Sequence, residues 1–141
     1  MDSVECRRLK ILVIDDEPLI RTTLRRQLGM IGLPQSNIFE SANAAEGFLE
    51  TVQHRPDVVF CDIHMPMVDG FHYLKQVRKS ADATLAATPV IMLTGDASES
   101  SVLTARSLSV NAYLVKPVST KILQQSIERT LKATLIPMHR S

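Results

Sequence analysis

The 141-residue sequence contains no tryptophan, and aromatic residues make up only 4% of it. Cysteine is scarce too, with Cys6 and Cys61 the only two. Two cysteines form no disulfide framework or zinc spacing, and the four histidines (His54, His64, His72, His139) add no zinc pattern. A reducing, cytoplasmic setting fits this usage, with Cys61 read as a small buried hydrophobe. No apolar run approaches the ~20 residues of a membrane span. The opening MDSVECRRLK lacks a signal-peptide hydrophobic region. A net charge of +1 gives no excess of either sign for nucleic acid or a membrane surface. The glycine-rich phosphate loops G-x-G-x-x-G and G-x-x-x-x-G-K-[ST] are missing, which argues against a nucleotide-binding module. Linkers, repeats and low-complexity stretches are missing as well.

What is present suits one ordinary globular domain, 45% apolar and 22% charged. Ile11-Leu12-Val13-Ile14 reads as a buried strand. Pro18 then opens a helix whose stripe is Ile20, Leu24, Gln27, Leu28 and Ile31, apolar except at Gln27, and Gly32 stops it. Arg21, Arg25 and Arg26 fall largely off that stripe. Ile38 to Ala42 is a weaker strand, followed by a helix with Ala45, Phe48, Leu49 and Val52 on its apolar face. Asp57 to Cys61 is the third strand, and Phe71, Leu74 and Val77 carry the third helix. Pro89 to Leu93 is the fourth strand. Ala97 to about Ser107 makes a poorer helix, with Val102, Leu103 and Leu108 as its few anchors. Ala112 to Val115 is the fifth strand, and Leu123, Ile127 and Leu131 line the last helix. Strands alternating with helices imply an α/β fold with a parallel, doubly wound sheet. The domain is expected over residues 10–135, between tails at 1–9 and 136–141.

Such a sheet binds its ligand at the carboxyl ends of its strands. After the first strand come Asp15, Asp16 and Glu17, and after the third comes Asp62. Thr94-Gly95-Asp96 follows the fourth, and Lys116-Pro117 the fifth. Three aspartates on one rim repel, so at least one pKa rises unless a cation is held. Oxygen ligands of this kind suit Mg²⁺, which takes one or two carboxylates and keeps waters or phosphate oxygens. A divalent ion, an ammonium, a hydroxyl and a spare carboxylate together suit a phosphoryl group. The Asp62 carboxylate could itself be the nucleophile. Plainer readings stand beside these. Asp15, Asp16 and Thr94 could cap helices, Tyr113 could be a core residue, and Met65 and Met67 could fill gaps.

The set Asp15-Asp16, Asp62, Thr94 and Lys116, with DIHMPMVDG and Lys116-Pro117, closely resembles the receiver domain of two-component response regulators. The resemblance covers about Lys10 to Leu135 and implies a flavodoxin-like, CheY-like (βα)5 sheet of order 2-1-3-4-5. It implies that Asp62 accepts a phosphoryl group from a sensor histidine kinase or a histidine phosphotransfer protein. Asp16, Asp62 and the His64 backbone carbonyl would hold Mg²⁺, with Asp15 acting through water. Lys116 and Thr94 would bind phosphoryl oxygens, Tyr113 would be the switch aromatic, and the Lys116-Pro117 bond would be cis. Pro66 and Gly70 would shape the turn that presents Asp62.

Phosphorylation would then reshape the face made by the fourth helix, fifth strand and fifth helix, for a downstream output protein or domain or for a phosphorylation-dependent dimer. Direct nucleic-acid and membrane partners are not expected. The domain is expected to accept and slowly lose phosphate rather than turn over as an enzyme. His64 and Asp96, two residues past Asp62 and Thr94, are expected to tune that loss. The rival readings are an aspartate-based phosphatase, which would want an acid where His64 stands, and a docking module not controlled by phosphorylation. With no output domain after the last helix, the chain reads either as a free-standing regulator or as part of a larger one.

Overall fold

Four consecutive aliphatic residues, Ile11–Ile14, form a strand with every position buried, as a strand covered on both faces requires. In the computed structural model, which describes residues 2–95 and 99–137 (the side chains of 99–101 excepted), this is the second strand. The strands are β1 (Asp2–Glu5), β2 (Ile11–Ile14), β3 (Ile38–Ser41), β4 (Val58–Asp62), β5 (Val90–Thr94), β6 (Ala112–Val115) and β7 (Ala133–Ile136). The helices are α1 (Pro18–Ile31), α2 (Ala44–His54), α3 (Gly70–Arg78), α4 (Ala83–Ala86), α5 (Glu99–Ser107) and α6 (Thr120–Leu131). Five parallel strands make the main sheet in the order β3-β2-β4-β5-β6. With the terminal β1 set aside, this is the expected 2-1-3-4-5 winding. No helix among the described residues is long and apolar enough to cross a membrane.

Alternation along the strands divides the core into two layers. Ile11, Val13, Phe60 and Ile91 face Leu24 and Leu28 of α1 and Leu123 and Ile127 of α6. Leu12, Ile14, Cys61 and Met92 face the other way, with Tyr73 and Leu74 of α3. Pro18 occupies the first turn of α1, and Gly32 closes that helix at φ 125°, a backbone angle that disfavours any side chain. Asn43, Asp69 and Ser119 cap α2, α3 and α6 through their side chains. Arg78 ends α3 and, among the described residues, donates to the carbonyls of Ala86, Thr88 and Ser109 and to Asn111 Oδ1. It thereby ties the ends of α3 and α4 to the turn before β6.

The structure corrects several expectations. The inward face of α2 is Ala44, Gly47 and Thr51, while Leu49 and Val52 are 66% and 41% exposed. The approach of α2 to the sheet is the reason: a Cβ on Gly47 would lie 2.5 Å from Ile14 Cδ1. Thr51 is tolerated inside because its hydroxyl meets both the Gly47 carbonyl and the Tyr73 hydroxyl. The expected tails are partly structured. β1 pairs in parallel with β7, Asp2 with Ala133 through Glu5 with Ile136, and Cys6, Leu9 and Leu135 join the core. In α5 the expected anchor Leu103 is 56% exposed, and Ala105 is buried. The short α4, capped by Asp82, was not expected. Asp96, Ala97 and His139 lie outside the described residues.

Candidate functional site

Parallel register carries the ends of the central strands to one rim. Ile14 pairs with Cys61, so Asp15 and Asp62 emerge side by side. Backbone pairing runs one residue past the strands: the Asp15 N–H donates to the Ser41 carbonyl, Ile63 to Leu93, and Lys116 to Thr94. The residues at this rim therefore begin their loops on rigid backbone, which limits how far each can stray.

Oxygen atoms of Asp15, Asp16 and Asp62 lie within 4.8 Å of one another. Lys116 Nζ stands 2.8 Å from Asp15 Oδ2 and 3.3 Å from Asp62 Oδ1. Asp15 is fully buried, Asp62 is 3% exposed, and Asp16 is half-buried. The second Asp15 oxygen accepts the Glu17 N–H at 2.9 Å just ahead of α1, whose start has no side-chain cap, while the first pairs with Lys116. Burial holds the Asp62 carboxyl above the usual aspartate range, the Asp15 charge adds to this, and the charge and hydrogen bond of Lys116 oppose it without reversing it. Burial pulls Lys116 down, but the hydrogen bond and charge of Asp15, with the charge of Asp62, outweigh it and raise the ammonium overall. Burial and the neighbouring Asp62 push the Cys61 thiol well up, so Cys61 is an inert packing residue, as expected.

The turn after β4 presents Asp62. The Gly70 N–H donates to the Ile63 carbonyl at 2.8 Å, closing the loop over the strand end. A Cβ on Gly70 would collide with the Asp62 carbonyl oxygen and reach Met92 Cε at 2.9 Å. Backbone cannot yield as a flexible side chain can. Gly70→Ala is therefore expected to cost about 2 kcal/mol, within the range for overpacked sites, and to displace Asp62. A urea midpoint unchanged by this substitution would contradict the close approach.

The remaining expected residues are placed as follows. Thr94 is fully buried at the end of β5. Tyr113 is half-buried on β6 opposite Met92 and packs against the α2–α3 layer. His64 is exposed in the loop after β4. The Lys116-Pro117 peptide bond is cis, as the resemblance implied. Met65 fills the core, but Met67 is fully exposed at φ 70° and fills nothing. One contributor escaped the sequence reading. Arg21 Nη1 donates to the Asp15 carbonyl at 2.7 Å while its Nε pairs with Glu40, steadying the backbone of the acidic loop. Its only sequence signal is a position off the apolar stripe, one turn into α1.

Three carboxylates against one ammonium leave a net negative cradle of hard oxygen donors. This donor set, from Asp15, Asp16 and Asp62, fits a divalent ion such as Mg²⁺.

Residues 11–128 match the family described as the response regulator receiver domain. The chain is similar to the probable transcriptional regulator ycf27 of Guillardia theta, 35% identical over 89% of this chain and 46% of that protein. It is 30% identical to the chemotaxis protein CheY1 of Helicobacter pylori, over 87% of this chain and 97% of that one. It thus spans about half the length of the ycf27 proteins and nearly all of the chemotaxis protein. Among solved structures, Vibrio cholerae chemotaxis protein CheY4 superposes with a TM-score of 0.78 at 27% identity, covering 86% of this chain and 98% of that one. A receiver domain protein from Methanospirillum hungatei gives 0.77 at 26%, covering 88% and 94%. A sheet wound in this order, an acidic rim with one lysine, and relatives of this kind lead to one assignment: the chain belongs to the receiver domain family of two-component response regulators.

Proposed function

We propose that Asp62 accepts a phosphoryl group from a phosphohistidine on a sensor kinase or phosphotransfer protein, and that the acyl phosphate changes the face formed by α5, β6 and α6. The observation that carries this reading is the meeting of Asp15, Asp16, Asp62 and Lys116 at one strand-end rim. In the transfer, an Asp62 oxygen bonds to phosphorus as the phosphorus–nitrogen bond breaks, and the imidazole keeps that electron pair. Asp16, Asp62 and the His64 carbonyl would hold Mg²⁺, which neutralises phosphoryl charge when bound. Lys116 is shared by two carboxylates before transfer and is positioned to take up phosphoryl charge afterwards. The domain is then a stoichiometric acceptor rather than a turnover enzyme, and the exposed His64, two residues past Asp62, would influence how water reaches the acyl phosphate. Incubation with acetyl phosphate and Mg²⁺ tests this reading: mass spectrometry should find close to one phosphoryl group per chain, on the peptide containing Asp62. Label on another residue would overturn it.

The response would run through Thr94 and Tyr113. Phosphorylation adds about −1.5 to −2 charges, which draw the Thr94 hydroxyl and Lys116 inward. Tyr113 can then take up space next to β5. Moving a two-state element from 1:99 to 99:1 needs about 5.5 kcal/mol, and charge-assisted contacts to one phosphoryl group can supply a useful part of it. Thr94→Ala is expected to leave phosphate uptake within about threefold of the parent, since no charge is lost, and to suppress the accompanying change in Tyr113 fluorescence or NMR signals. A full response in that variant would remove Thr94 from the switch.

A further inference from the structure

We propose that Gln27 is a positioning residue for Lys116, its side-chain amide fixing the loop that carries the ammonium. This rests on the reading that Lys116 serves phosphoryl transfer, but the contact itself does not depend on it. Gln27 is the one polar position in the apolar stripe of α1, among Ile20, Leu24, Leu28 and Ile31. A glutamine there gains little from burial, so its presence calls for a partner. The partner lies across the fold: Gln27 Nε2 donates to the Val118 carbonyl at 2.7 Å, linking residues 91 apart in sequence.

Val118 stands two residues past Lys116. On the other side, the Lys116 N–H is held by the Thr94 carbonyl at 2.7 Å. The lysine backbone is thus gripped from β5 before it and from α1 after it. Val118 packs against the same core layer as Ile20, but a half-open groove of about 320 Å³, lined by Ile20, Thr23 and Leu24 of α1 and by Pro117 and Val118, lies beside the loop. Without the Gln27 bond the loop has empty space to move into. Lys116 Nζ must meet Asp15 at 2.8 Å and Asp62 at 3.3 Å at once, so a small drift of its backbone breaks one contact. Misplacement by about 1 Å can cost 10²-fold in rate.

The test compares Gln27→Leu, Gln27→Glu and Gln27→Lys in the full chain. Leucine completes the apolar stripe, glutamate keeps the shape but loses the donor, and lysine keeps an N–H donor. Three measurements are made: melting temperature, hydrogen–deuterium exchange of the peptide spanning 115–119, and the rate of phosphate uptake from acetyl phosphate with Mg²⁺. Gln27→Leu should melt no lower than the parent. Gln27→Leu and Gln27→Glu should exchange about fivefold faster in that peptide, the factor for losing one hydrogen bond, and take up phosphate about five- to tenfold more slowly. Gln27→Lys should restore both to within about twofold. Unchanged exchange in Gln27→Leu overturns the inference, as does slowed uptake that the lysine variant fails to restore. Exchange is read without any phosphodonor. A parent that fails to label at Asp62 therefore sinks the phosphoacceptor reading alone.

Discussion

Asp62→Asn is expected to reduce phosphate incorporation from acetyl phosphate from near one per chain to none detectable. The amide lacks a nucleophilic oxygen of carboxylate basicity, and among the described residues the other fully buried acid at the rim is already engaged. Asp15 is fully buried and is committed through both oxygens, to Lys116 and to the Glu17 N–H. Asp57→Asn is the matching control. It lies just before the same strand, with its carboxylate accepting the Lys10 N–H at the far end of the sheet, and should label fully. Stoichiometric label retained in Asp62→Asn rejects the assignment. The substitution also has a stability consequence of defined sign. Burial, then the Asp15 charge, raise the folded Asp62 above its ordinary value. The stability gained from its protonation is fully present below the unfolded value and is lost as pH rises through the folded one. At neutral pH the wild type therefore carries a disfavoured charge that asparagine does not. Asp62→Asn should melt a few degrees higher there in the absence of metal, and the gap should close as pH falls toward the ordinary aspartate range.

Lys116→Met is expected to have the largest effect on folding. The methionine occupies similar space but removes the ammonium that contacts two buried carboxylates. Breaking a buried pair from one side leaves uncompensated charge. A loss of about 3 kcal/mol is expected, the lower end for such cases, because the lysine side chain retains 18% exposure. The loss should shrink at lower pH as the unpaired carboxyls protonate, and shrink again in Lys116→Met/Asp15→Asn, where one charge is gone. Phosphate uptake should fall by about 10²-fold, the cost of removing one preorganised donor from a transferring group. Denaturant melts that place Lys116→Met within 1 kcal/mol of the parent would show that the ammonium does not sustain the acidic rim.

Where local chemistry decides local structure, the sequence foretells it. Pro18 and Gly32 bound α1 as read, and the apolar strands end where carboxylates and Lys116 begin. The rim was legible because each of its members lies at the carboxyl end of a strand or just past it. What was not legible depends on partners distant in sequence. Leu49 and Val52 look like an inward face by hydropathy, yet a glycine and a threonine face the sheet in their place, because Ile14 leaves no room for more. The pairing of Asp2–Glu5 with Ala133–Ile136 has no local signature, since DSVE is polar and the strand exists only through its mate. Arg21 reads only as a residue off the apolar stripe, because nothing near it in sequence reveals the Asp15 carbonyl.

The guanidinium of Arg78 spends its hydrogen bonds, among the described residues, on neutral oxygens alone. Dissolved ions screen attraction between exposed charges but act weakly on contacts of this partly buried kind. Raising ionic strength should therefore loosen the exposed Arg55–Asp82 pair while the bracing of the turn ahead of β6 persists. In brine, the edge of the sheet that bears Tyr113 keeps its geometry.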